Sequence, residues 1–209
     1  MPPTPRPLPR FVAEPPHELE PYGRWAETLR EGFLEACRNL EDAEHLGAPG
    51  EIAWFPERTY GGRVYVPATA SSDEGIELFG CVSFVRDPAS GEAASFAATA
   101  DWTEETAERN PGWKVDLSEE VIAPWRGPGN ATGAITIVWG TPLVRGGAVA
   151  TAELGGETLD QCELTQEERF TLVALDALTG LGDDVYLDVK LWNRRGELLA
   201  TETLYEEDA

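Results

Sequence analysis

The sequence predicts a mainly β fold: antiparallel β-sandwiches preceded by one long N-terminal amphipathic helix and a proline-rich extended arm. Three observations carry this expectation. Seven of the first 16 residues are proline. A 3-4 apolar spacing then runs through residues 19–46. From residue 51 onward the apolar period drops to two and short glycine turns recur, which is the pattern of half-buried strands.

The arm spans residues 1–16, with Pro2, Pro3, Pro5, Pro7, Pro9, Pro15 and Pro16. Proline at that density excludes a helix or a central strand and favours extended polyproline geometry. Arg6 and Arg10 outweigh Glu14, so the arm is mildly basic in an acidic chain. A solvated tail is one reading. The sharper one lays the arm along a neighbouring subunit, a second copy included, with Leu8, Phe11 and Val12 as anchors.

The helical unit is expected over residues 17–48. Leu19, Tyr22, Ala26, Leu29, Phe33, Ala36 and Leu40 form its stripe, widened by Trp25 and Cys37. Such a stripe packs on a core or on a second copy. Pro21 is tolerated in the first turn. Gly47 and Pro49 are the expected stop.

Residues 49–128 form the expected first β block. Strands are predicted at Ile52–Phe55, Arg63–Ala70, Ile76–Arg86 and Glu92–Trp102, as a four-stranded meander. Ile76–Arg86 is apolar on both faces and should be central. Asp87-Pro88-Ala89-Ser90-Gly91 should close a hairpin. Residues 103–128 are expected to be an irregular loop, in which Asp116 and Glu119 fit a capping box for one short turn before Pro124.

Residues 129–209 form the second block. Six strands are expected: Ala134–Trp139, Ala148–Leu154, Thr158–Leu164, Phe170–Leu175, Val185–Trp192 and Leu198–Leu204. Short strands at this spacing predict a small antiparallel sandwich. The run Gly182-Asp183-Asp184-Val185-Tyr186-Leu187-Asp188-Val189 resembles the corner before a late strand of immunoglobulin-like domains. There a tyrosine hydroxyl ties the corner. The family's cysteine pair and core tryptophan spacing are absent, so the resemblance implies a fold and no function.

With 209 residues, the chain can bury about 70% of its unfolded surface and needs no disulfide or metal to fold. Its 16 basic and 38 acidic side chains give a net charge of −22. A field of that sign disfavours nucleic acid and anionic membrane and suits a cationic partner. Lys114 and Lys190 are the only lysines, and Glu outnumbers Asp more than twofold. That usage also matches a GC-rich bacterial genome, so composition bias is the alternative reading of the charge to an acidic surface with a specific partner. Cys37, Cys81 and Cys162 are odd in number and lie in apolar patterns, which reads as reduced thiols in a cytoplasmic protein. No signal-like or membrane-length apolar run is seen.

Candidate chemistry is sparse. His17 and His45 bracket the helix and would be about 42 Å apart along it. Cys37 and His45 are two turns apart, too far for proton transfer. No GxSxG elbow, phosphate loop or calcium loop occurs. Asp101, Glu104 and Glu105 flank Trp102, and Asp183 adjoins Asp184. Paired carboxylates beside tryptophan can act on glycosides, but 38 acids generate such neighbours by chance. Trp54, Trp139 and Trp192 read as core. Trp102, Trp113 and Trp125 read as loop tryptophans, with Arg126 beside the last, and exposed tryptophans make interface hot spots.

The expectation is a non-catalytic accessory or structural subunit that assembles with a larger enzyme complex or with itself. Its partner-binding residues would be Leu8, Phe11, Val12, Trp113, Trp125 and Arg126, with no cofactor and no metal. The alternative is a carbohydrate-like ligand-binding module or small carboxylate-dependent hydrolase. It requires Trp102, Trp113 or Trp125 exposed in a cleft beside carboxylates.

Overall fold

A computed structural model of the chain describes residues 25–41, 43–127, 131–179 and 186–204. The arm, with Leu8, Phe11 and Val12, lies outside the described residues, as do residues 17–24 and residues 180–185. What is described is mainly antiparallel β, in three sheets with few helices.

The helix is shorter than the spacing predicts. α1 covers Ala26–Arg38, and a separate single turn, α2, covers Ala43–Leu46. The chain leaves the helix at Asn39 (φ −92°, ψ 1°), whose N–H donates to the Glu35 and Ala36 carbonyls. Asparagine competes poorly for a helix interior. The break lets Leu40 and Leu46 both pack with Leu29, Phe33 and Cys37. Ala26, expected on the stripe, is exposed.

Sheet I contains β1 (Ala53–Trp54), β2 (Arg58–Tyr60), β3 (Arg63–Ser71), β4 (Glu77–Arg86) and β5 (Ala93–Thr103). Its order is β1-β3-β4-β5, with β2 also paired to β3. β2 is a strand the periodicity did not reveal. Pro67 is accommodated inside β3 because β1 pairs at Ala68 and Thr69 and β2 at Arg63–Tyr65. The proline falls in the gap, and its carbonyl accepts the Phe55 N–H at 3.0 Å. β4 is central, as its two apolar faces require. Leu78, Val82 and Phe84 share a core with α1. Cys81 faces the other way, in a core with Phe55, Ile137 and Trp139, against which Phe79 packs.

Sheet II contains β6 (Val115–Arg126), β7 (Thr132–Pro142) and β10 (Phe170–Thr179), in the order β10-β7-β6. Sheet III contains β8 (Gly147–Leu154), β9 (Glu157–Glu163), β11 (Leu187–Asn193) and β12 (Leu198–Leu204), in the order β12-β11-β8-β9. β6 corrects the reading of residues 103–128 as an irregular loop with a capped turn. Asp116 and Glu119 lie in a strand that pairs with β7 from Val115↔Pro142 to Arg126↔Thr132. Pro124 is tolerated there because β6 is an edge strand, and the register shifts between Val121 and Ala123.

Sheets II and III share the larger core. Val138, Phe170 and Leu172 meet Ala150, Leu154, Leu187, Val189 and Leu191, all nearly inaccessible. Sheet I joins this pair through the Phe79–Trp139 ring contact, 6.3 Å between centroids. A buried ion pair between Arg58 and Asp160 ties β2 to β9. Cys37, Cys81 and Cys162 are free and buried.

Candidate functional site

β5 is the strand whose composition and position disagree most with a quiet surface. Its sequence AASFAATADWT carries one charge, Asp101. Among the described strands it pairs only with β4. Phe96 and Trp102 on it are 36% and 39% exposed. The strand bulges at Ser95 (φ 55°), and beyond it Ala97–Thr103 is a regular, weakly charged edge that no second described strand covers, which is a template for a further strand.

Two depressions flank that edge. On one side, a groove of about 570 Å³ runs between β5 and β6, with Phe79, Trp113, Leu117 and Leu204 supplying apolar wall. Asp101, Glu105, Glu119 and Glu120 also line it. On the other side, a cleft of about 360 Å³ lies between β5 and α1, lined in part by Glu31, Glu35, Phe96 and Ala98. Both flanks of the edge are therefore acidic, which draws cations to it.

Glu120 is anchored. The Thr99 hydroxyl donates to its Oε1 at 2.6 Å. Burial raises its carboxyl above the ordinary range, and that hydrogen bond pulls against the rise. Further along β6 the sheet I–sheet II contact holds two more carboxyls. Burial, helped by Asp116, raises Glu77 to about 7, and the Ser118 hydrogen bond opposes it. Asp116 is raised by burial as well. These two line a separate cleft of about 200 Å³ with Ser118, Glu167 and Arg169. Arg169 is committed there: it donates to the Trp54 carbonyl at 2.8 Å, pairs with Glu167 and lies over the Phe55 ring.

Thiol chemistry finds little support. Burial pushes Cys37 up to about 11 and Cys162 to about 12, and Cys81 well above its usual value. All three stay protonated near neutral pH, and the protonated thiol is not the nucleophile. Among the described residues, His, Cys, Asp and Glu form no group of three or more that could hold a metal ion. No described helix is long and apolar enough to cross a membrane.

The candidate residues separate. Trp113 is half-buried in the groove wall. Trp125 is half-buried against the sheet II–sheet III core. Its ring covers Gly127 so closely that a Cβ there would collide with it. Arg126 is exposed at the end of β6. Twelve residues of extended chain separate the two tryptophans, roughly 40 Å, so they do not form one site. Trp102 lies on β5 and does not line the groove. Sequence reasoning missed the β5 edge itself, although its run of alanines without charge was visible. A larger depression, about 870 Å³, lies on sheet III between β8, β9 and β11, and none of the candidate residues line it.

Comparison with known protein families, with curated proteins and with solved structures finds no match to this chain.

Proposed function

We propose that the chain is a non-catalytic accessory or structural subunit, and that it assembles with a protein partner through the open edge of β5 and the acidic groove beside it. The single observation that carries this is the edge: a strand of eleven residues with one charge that, among the described strands, pairs on one side only. Trp113 and Leu117 supply apolar anchorage in the groove, and Asp101, Glu119 and Glu120 select for a basic segment. A partner of the same chain is included in the proposal, and the cytoplasm is the proposed location.

The finer fold proposed with it is a sandwich of sheets II and III with immunoglobulin-like order. Of its seven strands, the first, second and fifth form one sheet, and the third, fourth, sixth and seventh form the other. The constant-type immunoglobulin order differs by the sheet to which the fourth strand belongs. Tyr186, before the sixth strand, is where that family keeps its corner tyrosine.

The test is affinity capture with the full chain as bait, wild type beside Ala97→Lys. Ala97 is exposed on β5, and a lysine there blunts an edge without touching the core. A stoichiometric partner, lost from the variant while its thermal melting is unchanged, supports the proposal. An identical set of captured proteins for both baits contradicts it.

The second reading is a module for a neutral carbohydrate-like ligand. Trp113 beside Glu119 and Glu120 in one groove favours it. Calorimetric titration with neutral oligosaccharides tests it: saturable heat that Trp113→Ala removes supports it, and no heat ends it.

A further inference from the structure

The arm at the N-terminus has a sequence pattern that fits the β5 edge. Between residues 4 and 12 it reads TPRPLPRFV. In an extended strand, alternate residues direct their N–H and C=O groups to the same edge. Pro5, Pro7 and Pro9 fall on one edge, and Arg6, Leu8, Arg10 and Val12 on the other. The second edge keeps all its donors. The first lacks three, which prevents a further strand from adding. In an extended conformation such a sequence can pair along one edge and not along the other.

Charge and reach agree with it. Arg6 and Arg10 have no acidic neighbour before Glu14, and the β5 edge is flanked by Asp101, Glu119 and Glu120 in the groove and by Glu31 and Glu35 on α1. The chain enters α1 beside β5: the Trp25 ring lies 6.0 Å from Phe84, and Phe84 lies 5.4 Å from Phe96. Thr99–Thr103, the groove end of β5, begins about 10 Å further along the strand. Residues 13–24, twelve in all, span up to about 40 Å when extended. The segment therefore reaches the edge of its own chain, where a short linker gives an effective concentration of about a millimolar.

We infer that residues Thr4–Val12 dock as an added strand on the β5 edge of the same chain, with Arg6 and Arg10 facing the groove carboxylates and Leu8 facing Trp113 and Leu117. The arm is then a built-in occupant of the partner's site, which a partner segment must displace. This inference rests on the docking reading above.

The experiment uses the full chain, wild type and Arg6→Glu/Arg10→Glu, titrated by fluorescence anisotropy with a labelled synthetic peptide of residues 1–16. The charge-reversed chain, with its own arm released, should bind the peptide at least about tenfold tighter than wild type. Added salt should weaken that binding, and Trp113→Ala in the reversed background should abolish it. Equal affinity for both chains, or no binding to either, overturns the inference. A wild-type dimer that the reversal dissolves also overturns it, because the arm would then serve a second copy. If the peptide fails while Ala97→Lys still loses a captured partner, the arm assignment falls and the docking reading stands.

Discussion

Arg58 and Asp160, 102 residues apart in the chain, meet as a buried ion pair, Nη2 to Oδ2 at 2.5 Å, with side chains 4% and 0% exposed. The carboxylate is fully engaged. It also accepts the Val173 N–H at 2.8 Å and the Gln161 N–H at 2.9 Å. One side chain thus joins sheet I to sheet III and closes the edge of β10. Asp160→Asn removes the carboxylate charge that the buried guanidinium pairs with at 2.5 Å. It should cost about 3–5 kcal/mol, and an apolar replacement of both partners should recover most of that. Urea unfolding of the single and double variants measures it.

Gly32 sits in the middle of α1, where glycine costs about 0.5–1 kcal/mol relative to alanine. A Cβ there would meet Ala98 Cβ and Val82 Cγ1 at 3.7 Å, ordinary contact distance. Gly32→Ala should therefore stabilise the protein by about that amount, seen as a higher unfolding midpoint with an unchanged denaturant slope.

Gly80 is the opposite case. On β4, opposite Ala100, it has no room for a side chain, because a Cβ would strike the Thr99 carbonyl and the Ala100 Cα. Backbone atoms cannot rotate away as a side-chain tip can. Gly80→Ala should cost about 1–3 kcal/mol or more and should loosen the β4–β5 pairing, read as faster amide exchange along β5.

Glu77 makes stability depend on pH. Its carboxyl is raised from 4.5 to about 7, so the native state binds the proton more tightly than the unfolded chain. Its contribution is complete below about pH 4.5 and is lost as pH rises through about 7. Asp116, also raised, acts in the same direction. General repulsion among 38 acids weakens the fold over the same range, so the comparison with Glu77→Gln isolates the effect. The variant should match wild type near pH 4.5 and exceed it by about 1–3 kcal/mol at pH 8. A constant difference across that range would refute the assignment.

The strands were legible where one face is buried and the other wet. Leu187–Asn193, and Arg63–Ser71 on either side of Pro67, alternate in burial as their sequences alternate in polarity, whereas Gly147–Leu154 ends buried on both faces. β6 was not legible, for a physical reason. Sheet I covers part of it, so Asp116, Ser118 and Glu120 are half-buried although polar, and Val121 is exposed although apolar. Pro124 then resembles a terminator when it is an edge residue. The groove was hidden for a related cause. β5 and β6 belong to different sheets, and their edges become neighbours only when Phe79 packs on Trp139. Trp113, picked from the sequence as a partner residue, lines that groove, whereas Trp125, picked on the same grounds, lies half-buried against the sheet II–sheet III core.

Light scattering on the chain recovered with whatever it captures tests the central claim, that the β5 edge and its groove dock a protein. Docking at this edge should give one stoichiometric complex, heavier than the 22.8 kDa chain, that both Ala97→Lys and Trp113→Ala dissolve. A 22.8 kDa monomer with no stoichiometric companion, or a complex that survives both substitutions, would contradict it.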